Sequence, residues 1–264
     1  MSGALPFPKA TDSPFNPWRF AKSRQSRELI AEAISDVQRF EGRRGLRKRT
    51  RKQHDLETFE LTVEAILCDL LHHRLYQRPD AIYVTRSNAI LRHRNRYRPR
   101  VYGKTFPDVL DKLAALELGW IVQEVGDGDG RQGGRRTVIR PGERLLQRIG
   151  DHGVTIADLG CACVDEPIIL KSEKADFWDE AQVIDYNDDG ETIGFRREMR
   201  EINDWLRSAD IDYGTFPGHS GLRLDTSDRE LRRIFTRGRF DSGGRLFGGF
   251  WQGMSKESRF CQAK

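Results

Sequence analysis

Residues 120–141 read WIVQEVGDGDGRQGGRRTVIRP. Two short runs rich in β-branched and aromatic residues, WIVQEVG and RRTVIRP, flank the glycine-rich DGDGRQGG, a pattern that predicts a hairpin with a long tip. The stretch before it has helical spacing. KTFPDVLDKLAALELG, residues 104–119, sets Val109, Leu110, Leu113, Leu116 and Leu118 on one face, and Gly119 stands where a left-handed residue closes a helix. GERLLQRIGDHG, residues 142–153, predicts another helix behind the hairpin.

Further upstream, DLETFELTVEAILCDLLHHRLYQ, residues 55–77, repeats Phe59, Leu61, Val63, Ile66, Leu67, Leu70, Leu71 and Leu75, which predicts a helix with a wide buried face. AIYVTR, residues 81–86, is strand-like, and SNAILRHRN, residues 87–95, is a short basic helix. The order helix, strand, short helix, helix, hairpin over residues 55–150 resembles the winged-helix family of DNA-binding domains. In that family the helix before the hairpin enters the major groove, and the hairpin tip touches backbone or minor groove. The resemblance implies a groove helix starting at Lys104 and Thr105, with Asp108, Asp111 and Lys112 on its exposed side, and a wing at 127–136 carrying Arg131, Arg135 and Arg136. Asp108 and Asp111 face phosphates poorly, so the stronger expectation lies in the basic segment ahead of them.

Charge is segregated along the chain. Seven Lys/Arg and no acid lie between Gly42 and His54, among them Arg43, Arg44, Arg47, Lys48 and Arg49. Residues 86–104 repeat that count and include Arg92, Arg94, Arg96, Arg98, Arg100 and Lys104. Arginine meets phosphate bidentately, whereas phosphates carry no sequence information, so affinity is expected here rather than base reading. A solvated linker is the alternative for 42–54, and a protein-contacting winged helix is the alternative for the domain. The sign reverses between Glu173 and Glu191, with eight acids against Lys174 alone.

The 264 residues, with 37% hydrophobic and 32% charged, suit a folded α+β chain of more than one domain. The expected division is 1–54 as N-terminal arm, helix and basic linker, 55–150 as the winged-helix domain, and 151–264 as a smaller α+β domain. The proline-interrupted aromatics of residues 1–22 read either as a mobile tail or as an arm laid on the body. SRELIAEAISDVQRF, residues 26–40, predicts a helix capped by its serine. No run of about 18 apolar residues and no signal-peptide order occur, so no membrane partner and a cytoplasmic location are expected.

In the back half, EPIILKS and AQVIDYND predict strands, DDGETIGF a turn, FRREMREINDWLRSADI a helix burying Met199, Ile202, Trp205 and Leu206, GLRLDTS a strand, and DRELRRIF a helix capped by Ser227 or Asp228. Asp185, Asp188, Asp189 and Glu191 lack the alternating ligand pattern of a calcium loop and read as a solvated acidic loop. Cys161 and Cys163 are too close for a zinc-knuckle pair. No GxSxG, HExxH or phosphate loop occurs, and the histidines are scattered apart from His72 and His73 on one helix. No catalytic residue, cofactor or metal is therefore expected.

RIFTRGRFDSGGRLFGGFWQ, residues 233–252, interleaves arginines, aromatics and glycines, a composition that suits a nucleic-acid strand and suits a glycine-kinked hairpin equally. It resembles a segment of uncharacterised proteins of bacterial mobile elements, and more distantly the element ahead of the first metal-binding aspartate in single-subunit phage-type polymerases; Gly243, Gly244, Arg245, Phe247, Trp251 and Gln252 are the matching positions. That resemblance implies a truncated relative without the carboxylates needed for phosphoryl transfer, hence no polymerase activity. The expected function is DNA binding in a mobile element, in replication or regulation, with double-stranded DNA as partner, RNA or single-stranded DNA as further candidates, and Arg237, Arg239 and Arg245 as a second contact. The alternatives are an accessory piece of a polymerase- or primase-like enzyme and a module gripping an acidic protein.

Overall fold

A computed structural model describes residues 13–76, 81–127, 135–162, 165–176, 178–210 and 226–252. The chain divides into two compact units, one of Met1–Arg94 with Arg98–Ala162 and one of Asn95–Tyr97 with Cys163–Lys264. Both combine helix and strand, so the α+β class holds. Among the described residues no helix is long and apolar enough to cross a membrane.

The first unit runs β1 (Ser13–Pro14), β2 (Arg19–Ala21), α1 (Arg24–Arg43), α2 (Gln53–Leu75), β3 (Ile82–Val84), α3 (Asn88–Arg92), α4 (Phe106–Leu113), β4 (Ile121–Glu124), β5 (Thr137–Pro141), α5 (Glu143–His152) and β6 (Leu159–Cys161). One sheet has the order β1-β3-β5-β4; β5 is antiparallel to both β3 and β4, and β1 is parallel to β3. β2 and β6 form a separate antiparallel pair. α2 is the central helix: Phe59, Val63, Ile66, Leu67, Leu70 and Leu71 are all buried in one core with Leu29 and Val37 of α1, Leu110 of α4 and Ile139 of β5. Its periodic leucines made it legible.

Two local expectations change and one open alternative is decided. The cap of α1 is Ser23; Ser26 is its capping-box partner, the two side chains each accepting the other's backbone N–H at 3.2 Å. The proline-rich arm is laid on the body in its described part, because Phe15 is buried 5.7 Å from the Phe106 ring. α4 stops at Leu113, well before Gly119. The Trp120 N–H turns back to the Leu113 carbonyl at 3.1 Å and its buried indole donates to Asp36 Oδ2 at 3.2 Å, so the chain leaves the helix to seat the tryptophan. Leu116 consequently stands in water, while Leu118 is buried.

The second unit contains β7 (Ile168–Leu170), α6 (Gly190–Ser208), β8 (Leu231–Phe235) and β9 (Gly243–Gly248). β8 is the middle strand, parallel to β7 and antiparallel to β9. DRELRRIF thus supplies a strand where a helix was expected, because Leu231 and Phe235 are pinned between two neighbours and β8's edge is closed by β9. AQVIDYND contributes only an isolated bridge, Lys171 to Val183. The expected turn DDGETIGF is the start of α6: Asp189 Oδ1 accepts the Thr192 N–H at 2.8 Å and Thr192 Oγ1 accepts the Asp189 N–H at 2.9 Å. Met199 and Leu206 are buried as expected, whereas Trp205 is 68% exposed and Ile202 lies at the surface. Most of the strand read in GLRLDTS lies outside the described residues.

Candidate nucleic-acid interface

The two basic connectors of the first unit are built differently from one residue to the next. Arg43 ends α1, and residues 42–50 are all exposed. Beneath them Glu41 is buried and collects cations: Arg51 binds both of its oxygens at 2.7 and 2.8 Å, Lys112 reaches it at 2.6 Å and Arg47 at 3.6 Å. Burial pushes the Glu41 carboxyl up, but the hydrogen bonds from Arg51 and Lys112 outweigh it and hold it below the ordinary range. Arg44 pairs with Glu117. Arg43, Lys48, Arg49 and Lys52 are exposed, and among the described residues no carboxylate pairs with them.

In the second connector Arg92 is the last residue of α3, and Arg92, Arg94, Arg100 and Lys104 are exposed, again with no carboxylate partner among the described residues. Arg98 is half-buried and donates to the Leu91 carbonyl at 3.4 Å. Thr105 occupies the N-cap position of α4, exposed and without a side-chain cap hydrogen bond. Lys112 is not on the exposed side of α4 as expected; it is buried between Glu41 and Asp108. The aspartates that looked hostile to phosphate are both engaged by cations. Asp108 takes Lys112, and Arg86 clamps Asp111 bidentately at 2.7 and 2.8 Å. Burial raises the Asp111 carboxyl, yet Arg86 and Gln123 lower it further, so it is an anion already neutralised within the fold.

At the hairpin, Arg131 lies outside the described residues. The Arg135 N–H donates to Asp127 Oδ1 at 2.6 Å, which ties the base of the hairpin, and Arg136 lies over the Tyr83 ring at 4.3 Å.

Arg96 belongs to the second unit and is drawn into it. Its Nε donates to Asp185 at 2.8 Å, Nη1 to Asp188 at 2.8 Å and to Glu166 at 3.3 Å, Nη2 to the Tyr186 carbonyl at 2.7 Å, and the guanidinium lies 3.7 Å over the Tyr186 ring. Arg196 completes the cluster through Glu166 and Asp188. The loop read as solvated acid is the counter-charge of two arginines.

The C-terminal stretch is a hairpin. Phe235 packs on Phe195 at 5.0 Å and on Phe240 at 5.1 Å, and a side chain at Gly248 would run into the Glu230 carbonyl. Arg239 pairs with Asp241, while Arg237 and Arg245 are exposed.

One grouping escaped the reading of the residues. Asp69, His72 and His73 of α2 are buried, and one ligand atom from each lies within 4.8 Å of the others. The signal was the D-x-x-H-H spacing, hidden by the apolar helix around it. No protein-family model, no curated protein and no solved structure matches this chain.

Proposed function

We propose that this chain binds DNA, with a winged-helix domain over residues 55–150 and phosphate contacts from the connectors that flank its helices. The observation that carries the reading is the set of eight exposed cations, Arg43, Lys48, Arg49, Lys52, Arg92, Arg94, Arg100 and Lys104, with no carboxylate partner among the described residues. Charges already neutralised inside the fold release no counterions on binding; these eight can. The order α2, β3, α3, α4, β4, β5, with antiparallel β3-β5-β4, supports the winged-helix part. In this arrangement α4 enters the groove with Lys104 and Thr105 leading, and Arg86 and Lys112 blunt the repulsion from Asp111 and Asp108.

A salt series of binding to labelled duplex and single-stranded DNA tests this, with the wild type beside a variant carrying Arg43, Lys48, Arg49, Arg92, Arg94 and Lys104 as Ala. The expected result is duplex binding whose affinity falls by about 1,000-fold or more between roughly 50 and 200 mM salt, with a much shallower slope in the variant. Absence of binding at low salt, or a variant that binds as the wild type does, overturns the proposal. Displacement of bound DNA by an acidic protein at equal charge would move the basic face to a protein partner.

A further inference from the structure

We propose that Asp69, His72 and His73 form a site for a divalent transition-metal ion, zinc foremost, independent of the nucleic-acid surface. Offsets of three and four residues bring the three side chains to one face of α2. All three are at most 4% exposed, and their donor atoms lie within 4.8 Å of one another. Ligand bonds of about 2.0 to 2.2 Å in a tetrahedron require donor separations of roughly 3.3 to 3.6 Å, so binding requires the three side chains to rotate towards one another. Two imidazoles and one carboxylate are the donors that zinc takes in three-ligand sites with a fourth position open.

The surroundings hold the carboxylate as an outer shell does. The Asn16 N–H donates to Asp69 Oδ2 at 2.8 Å, and Arg19 Nε stands 3.8 Å from Oδ1. Both come from the segment that forms β2 and lies on α2, so an ion at this place would tie that segment to the central helix. The guanidinium shares the carboxylate with the cation, which favours an ion that also gains two imidazole bonds over a hard, oxygen-seeking ion such as magnesium. Ligating imidazoles must be neutral, so loading is expected to weaken in acid.

The test uses the full chain, stripped with a chelator and titrated with cobalt(II) as the probe. Binding of one equivalent is expected, with visible ligand-field absorption that zinc displaces. Affinity should fall more than about tenfold in His72→Ala and His73→Ala. X-ray absorption of the zinc-loaded wild type gives a reading that does not depend on the variants folding: nitrogen and oxygen neighbours with imidazole scattering support the site, and sulfur neighbours overturn it. No stoichiometric uptake by the stripped wild type at neutral pH overturns it as well. So does binding that survives both histidine variants and is lost in Cys161→Ser. DNA binding unchanged by metal removal leaves this inference standing on its own result, because the eight exposed cations lie outside the site.

Discussion

Arg94 and Arg96 stand two residues apart in one basic run and have opposite surroundings. Arg94 is exposed with no carboxylate partner among the described residues, whereas Arg96 meets Asp185, Asp188, Glu166 and the face of Tyr186. The division runs residue by residue within each unit: Arg196 of the second is matched to acids as Arg96 is, whereas Arg237 and Arg245 there are exposed, and in the first Arg51 and Arg86 are paired while Arg43 and Arg94 have no carboxylate partner among the described residues. A phosphate binder needs a cation whose charge is still hydrated and available. Density of arginine in the sequence does not distinguish the two situations, because the acid that neutralises Arg96 arrives some 70 to 92 positions later.

The largest effect that sharpens this comparison is expected in the first unit's own engaged group. Glu41→Gln keeps the shape but leaves Arg51, whose side chain is 8% exposed, without its anion, and Lys112, 10% exposed, with Asp108 alone. Removing one partner of a buried pair costs on the order of 3 to 5 kcal/mol, readable as a lower midpoint in urea unfolding. The pH dependence has a definite sign. A carboxyl lowered in the folded state contributes stability above its unfolded value of about 4.3, and that contribution is lost as pH falls through the lower folded value. Glu64 has the opposite sign, since burial outweighs the Ala21 N–H and raises its carboxyl. The acid limb should therefore steepen in wild type relative to Glu41→Gln, and equal limbs would show that Glu41 is not the anion of this cluster.

Next in size is Arg96→Ala. Its hydrogen bonds to charged partners are worth about 1.5 to 3 kcal/mol in sum at this partial exposure, so the unfolding free energy from urea denaturation should fall by that amount. Arg94→Ala should leave stability within about 0.5 kcal/mol of wild type and instead reduce the salt slope of DNA binding by about 1. If Arg94→Ala destabilises the fold and Arg96→Ala changes only the salt slope, the comparison is broken.

The elements legible in advance were those whose own side chains determine them. α2 carries its period in leucines, the β4–β5 hairpin is marked by β-branched runs around glycines, and α5 ends at Gly153 with φ +63°. The misread elements depended on distant partners. β8 has a helix-like sequence but is held between β7 and β9, and α4 ends early because Trp120 finds Asp36 from α1. The basic connectors were visible as charge, yet which of their cations remain exposed was settled by Glu41, Glu117 and the 166–188 acids. The Asp69, His72 and His73 grouping was written at helical spacing and was passed over because its neighbours are leucines.

The smallest effect addresses the face of α6. Trp205 was expected inside with Met199, but positions 199 and 205 are six residues apart, which places them some 120° apart around the helix. Met199 shares its side with Asn203 and Leu206, and Asn203 fixes that side by exchanging two hydrogen bonds with the Leu231 backbone at 2.8 and 2.9 Å. Trp205 is left turned outward. Trp205→Ala should therefore change stability by less than about 0.5 kcal/mol, whereas Met199→Ala should cost about 2 kcal/mol or more by opening a cavity. The tryptophan's fluorescence should also be quenched by iodide in the folded protein more strongly than that of the buried Trp120, as comparison of Trp205→Phe with wild type would report. A loss of 2 kcal/mol in Trp205→Ala would mean that α6 is rotated about its axis, and would release Asn203 from the position that orders β8.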